Sequence, residues 1–86
     1  MKRIFKYSLG YSENQEIKMP EDAKVVSFQS MNSGLFIWAL VDDDNLLKPR
    51  HFFITTTGQA ITENNLHYIG TEVVNNSMVY HLFEVV

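Results

Sequence analysis

No cysteine occurs among the 86 residues, which excludes disulfide scaffolds, thiolate catalysis and sulfur-ligated zinc or iron together. Glycine is scarce: the four residues stand apart at Gly10, Gly34, Gly58 and Gly70, so no glycine-rich loop exists to cradle a phosphate. Long hydrophobic runs are missing as well. The longest uninterrupted apolar stretch, residues 35–41, has seven residues against the roughly 20 of a membrane-spanning helix, and no membrane association is expected. The opening Met1-Lys2-Arg3-Ile4-Phe5-Lys6 is charged but has no apolar region behind it, which is not the pattern of a signal peptide. There is no excess of one charge either. Seven basic and ten acidic residues give a formal net charge of -3, spread along the chain, and argue for neither a nucleic-acid partner nor a nucleic-acid mimic.

What is present is apolar and aromatic surface. Hydrophobic residues make up 45% of the chain, with six Phe, four Tyr and one Trp, enough to offset the ordering entropy that keeps disordered chains unfolded. A chain this short buries only about 60 to 65% of its unfolded surface. One domain, residues 1–86, with one thin core is therefore expected.

The apolar segments are short, rich in aromatic and β-branched residues, and bounded by Gly, Asn, Asp or Pro, which is strand spacing. Residues 1–9 alternate, with Phe5, Tyr7 and Leu9 against Lys2, Lys6 and Ser8. Residues 15–19 alternate again until Pro20, which has no N–H to give a ladder. Residues 23–30 and 35–41 flank Met31-Asn32-Ser33-Gly34, a tight-hairpin signal. The second of these strands is apolar on both faces, so it is expected to be central and covered above and below, with Trp38 in the core. Residues 50–57 form another strand. Residues 61–65 could hold one helical turn, and residues 66–74 and 78–86 flank Asn75-Asn76-Ser77 as a second hairpin. Short connections imply antiparallel pairing. The expected fold is mainly β: a small antiparallel sandwich or half-open barrel of about seven strands in a meander, with at most one short helical turn.

Motifs that carry chemistry are weak. Asp42, Asp44 and Asn45 suggest a calcium loop, but counting from Asp42 the sixth position is Leu47 rather than Gly and the twelfth is Phe53 rather than Glu. His51, His67 and His81 show no pair at metal-ligand spacing, and His81 reads as a packed, hydrogen-bonded histidine. No metal or other cofactor is expected. None of the serines lies in a Gly-x-Ser-x-Gly elbow, and nothing places a hydroxyl beside an oriented base, so the chain reads as a non-enzyme. Basic and aromatic residues interleave at residues 2–7 and 48–53, which could form a stacking platform for nucleic acid. A solvated strand face with inward Phe and Tyr explains the same residues, and nucleic acid is not the expected partner.

Residues 2–9, Ile17-Lys18-Met19-Pro20 followed by Ala23-Lys24, Trp38-Ala39-Leu40-Val41-Asp42, Tyr68-Ile69-Gly70-Thr71 and Val79-Tyr80-His81-Leu82-Phe83-Glu84 together resemble a family of short uncharacterised bacteriophage and prophage proteins. The resemblance covers nearly the whole chain and brings no catalytic residues with it. It implies a non-catalytic accessory protein working in the cytoplasm of a bacterial host, with counter-defence by inhibiting a host bacterial protein as the expected role. Sequestration of a small nucleotide-like ligand, or a structural or assembly role in the phage particle, are the alternatives. The candidate ligand or partner surface is Tyr11, Lys48, Arg50, Phe52 and Tyr68. The last strand stays apolar to its end with Glu84 as its only charge. If it lies at a sheet edge, Tyr80, Leu82 and Val86 would invite a second copy of the chain, and a homo-oligomer is expected. The competing arrangement buries that strand inside one chain.

Overall fold

Alternation and turn chemistry produce extended chain almost throughout. In the computed structural model, which describes residues 1–86, seven strands follow one another without a helix: β1 (Lys2–Leu9), β2 (Asn14–Pro20), β3 (Lys24–Met31), β4 (Gly34–Asp42), β5 (Leu47–Thr56), β6 (Leu66–Val74) and β7 (Met78–Val85). They form two antiparallel sheets, one of three strands in the order β1-β4-β3 and one of four in the order β2-β5-β7-β6. No sheet closes on itself, so the architecture is an open two-layer sandwich.

Both expected hairpins are present, and their turns show why. Asn32 and Ser33 sit at φ 49° and 66°, and Asn75 and Asn76 at 53° and 56°. Two consecutive positive φ angles match the twist of a two-residue hairpin, and Asn tolerates them because its side chain bonds locally. Gly34, by contrast, is already the first residue of β4.

Elsewhere the order departs from a meander. The corners at residues 10–13, 21–23 and 43–46 carry the chain from one sheet to the other, so β1 pairs with β4 from Lys2↔Asp42 to Leu9↔Leu35 and β2 with β5 from Asn14↔Phe53 to Pro20↔Leu47. Two short sheets that face each other bury more apolar surface than one flat ribbon would. Residues 61–65 hold no helical turn. Their Thr and Asn residues prefer to bond the backbone locally, and a single turn fixes more dihedrals than its one hydrogen bond returns.

The core lies between the sheets. Leu9, Phe28, Leu35, Ile37, Ala39 and Val41 of the three-stranded sheet meet Met19, Phe52, Ile54, Val74 and Leu82 of the other. In β4 the odd positions Leu35, Ile37, Ala39 and Val41 are buried, whereas Phe36 and Trp38 are half-buried and Leu40 is exposed. This corrects the expectation of a strand covered on both sides with Trp38 in the core. β4 is central in its sheet, but a two-layer sandwich covers each sheet on one face only. Trp38 stands on the other.

The last strand is corrected in the same way. β7 lies between β5 and β6, so it has no free edge to offer a second copy. Its inward face carries Leu82, fully buried in the core, and Tyr80, packed against it; Leu82 therefore cannot belong to an interface between copies. Val86 is 74% exposed and its N–H donates to Asn65 O at 2.9 Å, which ties the terminus to the segment before β6.

That segment returns the chain along the four-stranded sheet. β5 and β6 both run antiparallel to β7, so residues 57–65 must return the chain along the sheet, from the Tyr80 end of β7 to its Val85 end, about 17 Å at strand rise. Phe53, paired with Asn14 and Phe83 on the face of β5 opposite the inward Phe52 and Ile54, is 1% exposed. Thr57, at the start of the return, is tied to β7 through its Oγ1, which bonds His81 Nε2 at 2.8 Å; within the β6–β7 pair Thr71 Oγ1 bonds His81 Nδ1 at 2.9 Å and Tyr68 Oη bonds Thr71 Oγ1 at 2.6 Å. His81 is thus hydrogen-bonded through both ring nitrogens.

Candidate functional site

Two surfaces stand out from this frame, and the first is the outer face of the three-stranded sheet. Register places Ile4 beside Leu40, Lys6 beside Trp38 and Ser8 beside Phe36 on the β1 side. On the β3 side Lys24 lies beside Leu40, Ser27 beside Trp38 and Gln29 beside Phe36. Ile4 is 55% and Leu40 36% exposed, and the rings of Phe36 and Trp38 lie 6.2 Å apart. The Lys6 ammonium sits 4.8 Å from the centre of the Phe36 ring, a cation–π contact that holds its charge over the apolar patch. Lys2, Lys6 and Lys24 supply the charges of this face, and its only carboxylate is Asp42 at the end of β4.

Asp42 is not free. With Asp43 and Asp44 it converges on the Met1 ammonium, at 3.0, 3.1 and 2.9 Å, while the Arg3 guanidinium pairs with Asp43. These contacts push the Met1 ammonium pKa up to about 11, first through Asp44. They hold Asp42 and Asp43 below the usual carboxylate range, through the ammonium for Asp42 and through Arg3 for Asp43. The three carboxylates of the corner thus converge on two cations, the Met1 ammonium and Arg3.

The second surface is a lateral cleft of about 380 Å³ between β3 and β6, each the edge strand of its own sheet. At one end the two edges are joined: Glu72 Oε1 accepts from the Ser30 N–H at 2.7 Å and Val73 O accepts from the Ser30 hydroxyl at 2.9 Å. Gly70 lets them approach, since a Cβ there would come within 3.3 Å of the Phe28 ring. Toward the other end both strands are bulged, between Val25 and Ser27 and between Tyr68 and Gly70. An extra residue in one strand bends and twists it away from regular pairing, and here the edges part.

The floor of the cleft is an ion pair. Arg50 from β5 meets Glu84 from β7 through Nε–Oε2 and through Nη2–Oε1 at 2.9 Å, and its Nη1 donates to Ala23 O at 2.7 Å. Their side chains are only 23% and 14% exposed, and Glu84 raises the Arg50 pKa further above its already high ordinary value. Tyr7 also reaches this layer; burial pushes its hydroxyl pKa up, opposed by the Arg50 charge.

Of the residues singled out in the sequence, Arg50 and Tyr68 come together at this cleft. Phe52 does not: it is fully buried in the core, because β5 lies between β2 and β7 and Phe52 points between the sheets. Tyr11 closes the far end of the sandwich, its ring 5.1 Å from Tyr80 and its hydroxyl bonded to Ser33 O. Lys48 is exposed, 3.7 Å from Glu21, and takes no part in the cleft. Sequence reasoning missed Glu84, Lys24 and Trp38 as site residues. The apolar run of residues 35–41, which fills both faces of its strand, was the only signal that could have marked the Trp38 face.

The fold and these surfaces define the class: an all-β, open two-sheet sandwich with an apolar, lysine-bordered sheet face and an ion-paired lateral cleft. Across residues 1–86 the chain belongs to DUF7352, a domain of unknown function. No curated protein and no solved structure matches it. No helix is long and apolar enough to cross a membrane.

Proposed function

We propose that this domain is a non-catalytic binding module that docks on a partner protein through the outer face of its three-stranded sheet. The observation that carries the reading is the row Phe36, Trp38 and Leu40 standing outward in β4 beside Ile4. Such a face resembles the aromatic core of a protein interface, where a large ring desolvated on docking supplies much of the affinity. Lys2, Lys6 and Lys24 border it in a chain whose net charge is -3, so the complementary partner surface is apolar at its centre and acidic around it. A second copy of the same face would set lysines against lysines.

The finer reading follows the sequence resemblance. The domain is a bacteriophage or prophage accessory protein that acts in the cytoplasm of its host by occupying a bacterial protein, a counter-defence inhibitor. The test is capture from host lysate with three baits: wild type, Trp38→Ala and Lys6→Glu. A protein retained by the wild type and lost with both variants supports the reading, provided elevated salt also weakens its retention. Retention that survives both substitutions overturns it.

A further inference from the structure

From the lateral cleft we infer a second, separate binding site, for a small aromatic anion of the nucleoside monophosphate kind. The cleft, about 380 Å³, falls at the small end of ligand sites, which run to roughly 300–1,000 Å³. Arg50 and Glu84 cancel at its floor, and Lys24, which the register also sets at the border of the docking face, adds a positive charge at the rim, in a chain of net charge -3. Arg50 is held rigid by Glu84 and Ala23 O, but these bonds use three of its N–H groups. A guanidinium carries five, so two remain without a partner in the chain.

The walls suit a flat ring. Val25 and Ile69 are half-buried apolar side chains on opposite strands of the cleft. Each wall is also the free edge of a sheet, and strand backbone alternates its N–H and C=O groups from side to side. The Ser30 N–H already points from β3 toward β6, where Glu72 accepts it. Two residues earlier, by strand period, the Phe28 N–H points the same way into the cleft. A heteroaromatic ring entering between Val25 and Ile69 therefore meets apolar sides and backbone polar groups at its rim. Its anionic group lies against Lys24 and the spare N–H groups of Arg50. Phosphate alone lacks the ring contacts, and a bare nucleoside lacks the charge.

Lys24 borders both surfaces, so the control that separates them is Trp38→Ala, which lies on the docking face alone. The full chain, isotopically labelled, is titrated with adenosine 5′-monophosphate, adenosine and inorganic phosphate while its amide spectrum is recorded. The expected result is saturable movement of Val25, Phe28, His67 and Ile69 with the monophosphate, and at least tenfold weaker response to either fragment. Lys24→Ala, at an exposed position, should weaken binding about two- to fivefold, the order of one exposed ion pair, and Trp38→Ala should leave it unchanged. Three results each overturn the inference: no saturable shift at millimolar concentration, equal response to phosphate alone, or shifts that map away from the cleft.

Discussion

Replacing Arg50 by Met probes the polar centre of the sandwich. The substitution keeps most of the side-chain volume but removes both bonds to Glu84 and the one to Ala23 O. Glu84 has no other hydrogen-bond partner among the side-chain bonds of the chain and is 14% exposed. Breaking a fully buried pair by removing one partner costs about 3–5 kcal/mol, mainly because the other charge is stranded. Partial access to water lowers this to about 2–4 kcal/mol at pH 7. An 86-residue chain holds about 4–13 kcal/mol in all at 0.05–0.15 kcal/mol per residue, so urea unfolding followed by circular dichroism should show a large shift in midpoint. Adding Glu84→Leu should recover most of the loss at pH 7, since an apolar pair can replace a buried ionic one. A loss under about 1 kcal/mol, or one that Glu84→Leu does not relieve, would refute the reasoning.

Trp38→Ala should cost about 1–2 kcal/mol, well short of the 3–5 of a buried large aromatic, while Ile37→Ala next to it should cost about 2–4 kcal/mol; equal losses in urea unfolding would return Trp38 to the core. Gly70→Val should destabilise by about 1–3 kcal/mol through overpacking against Phe28 and shift the amide signals of residues along the β3–β6 seam; an unperturbed spectrum would contradict the close approach. Acetylating the Met1 amine should remove a small, salt-screened stabilisation that is fully present below pH 8, the ordinary value, and lost as pH rises through about 11. Melting temperatures of the free and acetylated chains should therefore differ at pH 7 and converge at high pH; a constant difference would show that the ammonium contacts carry no stability.

The local half of this fold is legible in residue order. Period-two alternation marks β1 and β2, and the Asn-Ser and Asn-Asn pairs place both hairpins, because local backbone preference and the twist of paired strands act over a few residues. Which face of a two-sided strand is covered is a global matter. Leu35, Ile37, Ala39 and Val41 alternate with Phe36, Trp38 and Leu40, and both sets are apolar; only the number of layers decides that the aliphatic set goes inward. In β7 the same ambiguity reversed the assignment of Leu82. Arg50 and Glu84 lie 34 residues apart, and nothing local announces their pairing. Their meeting depends on β5 and β7 being neighbours, a long-range pairing that residue order does not announce.

Trp38 is the chain's single tryptophan, so its emission reports directly on the proposed docking face. The decisive measurement is the Trp38 emission maximum of the purified domain titrated with the protein it retains from host lysate, given a Trp-free or spectrally subtracted partner. Docking through this face predicts a saturable blue shift as the ring leaves water, weakened by Lys6→Glu and by salt. A complex that forms at the same affinity with Trp38 emission unmoved would contradict it.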